Sequence, residues 1–347
     1  MNCSGENVGS AAAVTVPEEL AGVYQFAKQD LAQVGSVILE RLEHSDSTIN
    51  QILHYSFQLG GKRLRPLLLV LSARACGRIE REHYLAAAAL EMIHTGTLIH
   101  DDILDGARFR RHLETINLHW DSQHAVLAGD YLLTLAISLI TECSRPEIYP
   151  IVAAACRRTC EGELSQVTAQ GRLDLSRAEY DRIIEGKTAA LLEASCQLGA
   201  SFTGQDEKTI RLFSQFGRDL GIAFQIFDDV LDLTGSDSET GKTLGTDLLN
   251  RKLTLPAIHF LQTAPESEKN ALLSLFRQAD FGPAESEKIR LILLKSDAVQ
   301  FARDEAHRLV RQAVSLLDKL PDGANSEQVQ AIAALRAIAG FIANRNK

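Results

Sequence analysis

Apolar residues recur every three to four positions along almost the whole chain, the spacing of helices that each bury one face. This periodicity predicts helices over about 18–42, 47–59, 64–76, 81–104, 115–118, 122–140, 146–170, 176–199, 206–234, 252–262, 266–278, 284–294, 297–319 and 325–343. Breaks fall at Gly60-Gly61, Gly77, Pro146, Gly204, Gly235 to Gly241, Gly282-Pro283 and Pro321 to Gly323, where glycine and proline interrupt the pattern. No β-alternation is sustained, and no glycine pattern of a dinucleotide-binding βαβ unit appears. No break is long or polar enough to serve as a domain linker. The expectation is an all-α fold: one large helical bundle over residues 18–347, preceded by a flexible Ser/Gly/Ala-rich tail at residues 1–17. The tail lacks a basic start and an apolar run, so it does not read as a signal peptide. No uninterrupted apolar stretch looks long enough to span a bilayer.

Composition supports the helical reading. The chain has 347 residues, 45% of them hydrophobic and only 6% aromatic. Ala and Leu abound, which favours helices over strands. A net charge of −9 argues against a general nucleic-acid surface. The six cysteines (Cys3, Cys76, Cys143, Cys156, Cys160 and Cys196) form no CxxC pair. They read as free thiols in a reducing cytoplasm.

One short pattern changes the picture. Asp-Asp-x-x-Asp occurs twice, as Asp101, Asp102 and Asp105, and again as Asp228, Asp229 and Asp232. On a helix, the first and last acid of each set stack one turn apart on one face, while the middle acid points about 100° away. A solvated acidic face would explain one such string. Here the flanks are apolar: Leu98-Ile99 and Ile103-Leu104 around the first, Phe224, Ile226, Phe227, Val230 and Leu231 around the second. Carboxylates in such surroundings are costly unless they face a cation. Hard oxygen ligands suit Mg²⁺, which fills its shell with substrate phosphates when few carboxylates hold it. Diphosphate chemistry is the expectation.

Basic residues extend it. Residues 60–66 read Gly-Gly-Lys-Arg-Leu-Arg-Pro, cations on a loop that opens a helix, a natural phosphate site with a solvated basic turn as its plain alternative. Arg108, Arg110 and Arg111 follow the first acidic set, where they can clamp a diphosphate or pair with aspartates. Lys187-Thr188, Lys242 and Lys252 are further candidate donors. Gly241-Lys242-Thr243 lacks the upstream spacing of a P-loop, which excludes that form of nucleotide binding. No Ser/His/Asp or Cys/His constellation suggests a covalent intermediate.

Taken together, the chain resembles the all-trans polyprenyl diphosphate synthase family. The likeness rests on residues 60–66, the run His94 to Asp105, Arg110-Arg111, Ala125 to Asp130, Lys187-Thr188-Ala189, Phe224 to Asp232, Gly241-Lys242 and Lys252 to Pro256, in that order and separation. The resemblance implies an all-α fold with a deep central cavity, commonly as a homodimer. It implies Mg²⁺ on Asp101, Asp102, Asp105, Asp228 and Asp232, with Asp229 a weaker member of the catalytic set. It places Arg110, Lys187, Thr188, Gln225, Lys242 and Lys252 on an allylic diphosphate. Lys62, Arg65, His94 and Arg111 then hold isopentenyl diphosphate. Three positions depart from the family's usual glycines: His112, Asp121 and Arg251. They put loop conformation in question rather than chemistry.

Product length would depend on what lies beneath the first acidic set. Thr97 and Ile93 stack one and two turns below Asp101, at about 5.4 Å per turn, with Gly96 beside them. Relatives making short products often carry aromatics at these levels. Gly96 and Thr97 are therefore expected to leave the level open for a medium- or long-chain product, with a deeper floor at Leu132, Leu135, Ala136 or Leu139. Short-chain synthesis, a class I terpene cyclase, a non-catalytic subunit and a di-metal carboxylate bundle are the alternatives. A cyclase normally lacks the second acidic set and the basic loop. A non-catalytic subunit need not keep both acidic sets. The di-metal bundle expects Glu-x-x-His pairs at the motifs.

Overall fold

The computed structural model describes residues 16–59, 61–235, 245–320 and 325–344. Lys242 and Gly60, both part of the sequence reading, lie outside the described residues. In chain order the helices are α1 (Ala21–Phe26), α2 (Lys28–Leu42), α3 (Ser47–Gln58), α4 (Leu64–Ala75), α5 (Arg81–Leu104), α6 (Ile116–His119), α7 (Ser122–Glu142), α8 (Ile148–Ala169) and α9 (Arg177–Ile184). They continue as α10 (Ala190–Ser201), α11 (Glu207–Thr234), α12 (Thr246–Leu249), α13 (Leu255–Thr263), α14 (Glu266–Phe276), α15 (Pro283–Lys295), α16 (Ala298–Leu317) and α17 (Ser326–Ala343).

The bundle is built around α4, α5, α10 and α11. Leu67 to Leu71 of α4 and Ala86 to Leu90 of α5 are fully buried in sequence, not on one face, as expected of helices surrounded by others. α10 packs on α4 and α11, α5 on α7, and α16 along α11. Phe213, Phe216 and Phe227 of α11 fill the space between. The two acidic sets ride on the C-terminal ends of α5 and α11, whose earlier turns are locked in this core.

The structure departs from the periodicity in three places. The helix expected over 18–42 is interrupted at Ala27, whose ψ of 5° leaves helical geometry. A two-stranded hairpin, β1 (Phe109–Arg110) and β2 (Leu113–Glu114), follows α5; strands this short carry no readable alternation. Its two-residue loop is Arg111-His112, both left-handed at φ 53° and 67°, the geometry of the tight turns that join short strands. Arg251 is also left-handed at φ 51°. Two of the three departures from the family's glycines therefore occupy conformations that favour glycine. The third, Asp121, is extended and accepts from the His124 amide at 2.8 Å, capping α7.

The third departure matters most for the site. The helix expected over 176–199 carries a π-helical turn at Glu185–Ala189, between α9 and α10. Such turns concentrate at functional sites. Arg158 bridges Glu185 at 3.0 Å and Glu193 at 2.7 Å, and Arg218 grips Glu185 at 2.9 Å. These pairs hold both sides of the turn. Against it, Gly162 of α8 lies so close that a Cβ there would strike the backbone nitrogen of Lys187. Gly162→Ala must push the π turn away. The expected outcome is a loss of about 1–3 kcal/mol in urea unfolding, with activity falling further than stability because Lys187 moves.

Candidate active site

The end of α5 presents Asp101 and Asp105 to one cleft and turns Asp102 away from it. Asp101 lies 3.7 Å from the Lys187 ammonium, which also bonds Glu163 of α8 at 2.8 Å. Lys252 reaches Asp105 at 3.0 Å. Burial raises the Asp101 carboxyl above its ordinary range, opposed by Lys187 and reinforced by Asp105. Glu163 is raised by burial and then by Asp101. Burial works to lower Lys187, but Asp101 and Glu163 outweigh it and raise the ammonium. Glu163 was not singled out in the sequence. Only the packing of α8 on the π turn brings it to Lys187.

Asp102 is 3% exposed and held by Arg110, whose Nε and Nη2 donate to its two oxygens at 2.7–3.1 Å. The hairpin delivers Arg110 to this point. Asp102 and Arg110 satisfy each other, the pairing with an aspartate that the sequence leaves open beside a diphosphate contact for Arg110. The 100° offset of the middle acid carries it out of the cleft.

On α11, Asp228 and Asp232 are both half-buried, one turn apart. Asp232 accepts from the Thr246 hydroxyl at 3.0 Å and the Asp247 amide at 3.1 Å. Asp229 is 5% exposed, accepting from the Tyr180 hydroxyl at 2.6 Å and from Gln225 at 2.8 Å. Gln225 in turn accepts from Thr188 at 2.6 Å. Burial, with Asp247 nearby, holds the Asp229 carboxyl well above the ordinary range. Asp229 thus orients Gln225 and, through it, Thr188, in keeping with its weaker place in the expected set. Asp247, absent from the sequence reading, is raised to about 6 by burial and by Asp232, with Lys252 and Lys187 opposing and Asp105 adding. Charges from both acidic helices act on this one carboxyl, so α5 and α11 share the cleft.

Among the described residues no three acidic, His or Cys side chains gather at one point as a ready-made metal cage. The donor set nevertheless fits a hard dication. Asp101, Asp105, Asp228 and Asp232 offer oxygen only, and burial raises Asp101 at a cost that a cation would relieve. Carboxylates spread over two helices suit a cation that completes its shell with phosphate oxygens.

The remaining basic residues bear on His94. Burial, then Arg65, Arg110 and Arg111, hold His94 well below its ordinary value. Burial pushes Arg65 down to about 10. The Lys62 ammonium sits 4.6 Å from the Phe341 ring.

Beneath the acids, Ile93 and Gly96 are buried and Thr97 is half-buried, its hydroxyl donating to the His94 carbonyl at 2.8 Å. The open level expected at Gly96 is not there. A Cβ at Gly96 would stand 3.0 Å from the Gly129 carbonyl and 3.7 Å from Leu133. Gly96 is the point where α5 and α7 touch. Of that level only Thr97 keeps some exposure. Leu132, Ala136 and Leu139 are buried and Leu135 half-buried along α7.

A raised carboxyl holds its proton longer in the folded chain than in the unfolded one, so its stabilising effect exists at low pH and is lost as pH rises through the folded value. In metal-free protein, Asp101→Asn is therefore expected to raise the melting temperature at pH 7 and to change it less near pH 4. Activity should fall on the order of 10²-fold or more. Calorimetry at the two pH values checks the sign.

Comparison with known proteins agrees with this geometry. The family described as Polyprenyl synthetase matches residues 46–292. Heptaprenyl diphosphate synthase component 2 of Geobacillus stearothermophilus is 33% identical, over 94% of this chain and 99% of that protein. Geranylgeranyl diphosphate synthase of Saccharolobus solfataricus is also 33% identical, over 86% and 91%. A decaprenyl diphosphate synthase from Rhodobacter capsulatus superposes with a TM-score of 0.85 at 34% identity, covering 94% of this chain and 99% of that one. A polyprenyl synthase from Caulobacter crescentus, solved with calcium and isoprenyl diphosphate, gives 0.84 at 32%, covering 94% and 98%. With both acidic sets and the Lys187 and Lys252 contacts in place, and with the family match over residues 46–292, the chain belongs to the polyprenyl synthetase family and is a prenyltransferase.

Proposed function

We propose that this enzyme condenses isopentenyl diphosphate with an allylic diphosphate in the presence of Mg²⁺ and releases a medium- or long-chain all-trans polyprenyl diphosphate. One observation carries the reading. Cations stand at two places: Lys187 and Lys252 among the aspartates, and Arg65 and Arg111 about His94. Two diphosphates can therefore be held at once, which a one-substrate cyclase does not need.

When bound, Mg²⁺ supplies charge neutralisation for the departing diphosphate. Asp101, Asp105, Asp228 and Asp232 would hold it. Lys187 and Lys252 already lie on those acids and are placed to donate to the same phosphate oxygens. The allylic C–O bond breaks, its electrons leaving with the diphosphate. The isopentenyl double bond then attacks the allylic carbon, and the departing diphosphate takes up the one proton whose loss restores a double bond. Neutral His94 can donate a hydrogen bond to the second diphosphate without adding charge.

The α7 face opposite α5 exposes Val126, Leu127 and Ile137, and α8 exposes Leu164 and Val167. α7 also has the length and composition of a bilayer span, though Asp130 interrupts its apolar run, and one third of that window is buried. Exposed apolar helix faces of this size suit a second copy of the chain. The homodimer is the arrangement we propose, in the cytoplasm; the G. stearothermophilus relative, named a component, makes a heteromeric partner the second reading.

The purified chain, given farnesyl diphosphate, isopentenyl diphosphate and Mg²⁺, should yield products longer than twenty carbons on chromatographic sizing. Termination at fifteen or twenty carbons overturns the product assignment, and inactivity of the chain alone favours the heteromer. Thr97→Phe should shorten the product. Ile137→Glu should convert a dimer to monomer in sedimentation.

A further inference from the structure

Tyr180 has no part in the reaction described above, yet it stands at the head of a chain of hydrogen bonds that ends at Thr188, the residue after Lys187. It is 3% exposed and belongs to α9. That short helix is fixed at its first turn, where Ser176 and Glu179 cap each other and Arg177 pairs with Glu305 of α16 at 3.2 Å. The Tyr180 hydroxyl donates to Asp229 Oδ2 at 2.6 Å. The other oxygen of that carboxylate, Oδ1, accepts from Gln225 Nε2 at 2.8 Å. Gln225 Oε1 accepts from the Thr188 hydroxyl at 2.6 Å. Every link joins two side chains, and the links run from α9 to α11 and back to the π turn that directly follows α9. Tyr180, Asp229 and Thr188 are all buried, so water does not stand in for a missing partner cheaply.

We propose that Tyr180 is a positioning residue for the allylic substrate: by occupying one oxygen of Asp229 it keeps the carboxylate turned toward Gln225, and Gln225 in turn fixes the Thr188 hydroxyl. The proposal rests on the assignment of Gln225 and Thr188 to the allylic site. A carboxylate and a glutamine amide can each rotate, and an amide that turns over exchanges its donor for its acceptor. Asp229 takes the Gln225 N–H, so the amide oxygen is what meets Thr188, and the Thr188 hydroxyl spends its one proton there. Without the Tyr180 hydroxyl, one oxygen of a buried carboxylate loses its donor. The carboxylate is then free to turn, and the order of donors and acceptors is lost at the far end of the chain. The residues assigned to isopentenyl diphosphate lie elsewhere, on the loop before α4, on α4 and α5, and on the hairpin loop.

Tyr180→Phe removes the hydroxyl and keeps the ring. Its kcat/KM for farnesyl diphosphate should fall about 10-fold or more, while the KM for isopentenyl diphosphate stays within about twofold. A purely structural role predicts a different result: a lower melting temperature, with kcat/KM for farnesyl diphosphate unchanged where the variant is folded. Tyr180→Phe added to Gln225→Leu should cost no more than Gln225→Leu alone, because Tyr180 acts through that amide. An unchanged kcat/KM for farnesyl diphosphate overturns the proposal. So does a comparable rise in the KM for isopentenyl diphosphate, or additive losses in the double variant. If Tyr180→Phe does not fold, Asp229→Asn keeps the shape of the side chain, offers one acceptor oxygen in place of two and carries the same comparison of the two substrates. Thr188→Val separates the two levels of inference. If it leaves kcat/KM for farnesyl diphosphate unchanged, the assignment to the allylic site fails and the proposal with it; if it lowers that value and Tyr180→Phe does not, only the role of Tyr180 fails.

Discussion

The cost of keeping like charges together inside a helical bundle governs this structure. Asp101, Asp105, Glu163, Asp232 and Asp247 crowd one cleft with Asp229 behind them, and burial raises the carboxyls of Asp101, Glu163, Asp229 and Asp247. Repulsion of that kind would open the bundle unless each acid had a counterpart. Lys187 serves Asp101 and Glu163, Lys252 serves Asp105, and backbone amides at Thr246 and Asp247 serve Asp232. The same groups that stabilise the metal-free cleft are those placed to meet a diphosphate. Stability and chemistry draw on one set of contacts.

Holding those cations in place requires backbones to approach closely. The π turn carries Lys187 and Thr188, and it reaches Asp101 because Gly162 lets α8 lie against it. Arg158 and Arg218 lock its first residue, Glu185. A regular helix over the same residues would set Lys187 and Thr188 at a different rotation, since a π turn adds a residue without adding a turn. On the other side, the Arg111-His112 loop closes the hairpin that sends Arg110 to Asp102 and Arg111 toward Gly61. The left-handed conformations there and at Arg251 are strained for these residues, and Arg251 has compensating contacts with the Phe281 ring at 4.9 Å and the Gln278 carbonyl at 3.1 Å.

The acids of each motif divide by role, and the division follows helix geometry. First and last acids face the cleft; middle acids face the bundle and are tied to Arg110 or to Tyr180 and Gln225. Beneath them the level that bears on product length is narrower than the residue sizes suggest. The missing side chain of Gly96 is filled by the Gly129 carbonyl, where α5 and α7 meet.

Helical periodicity, the two acidic sets and the ordered cations are properties of spacing, and spacing is written in the chain. The all-α bundle, the paired acidic faces and the family could therefore be read before any coordinates. What spacing does not carry is which neighbour each face meets. Glu163 sits in ordinary helical sequence and Asp247 between two expected helices, and only packing of α8 and α12 against the motif helices makes them members of the site. Pairing of Arg110 with a nearby aspartate was legible as one of two alternatives, but Asp229 was not legible as the partner of Tyr180, because that contact crosses 49 residues of chain. Gly96 looked like space for the same reason: a sequence records the size of a side chain, while the volume left free depends on how near the next helix comes.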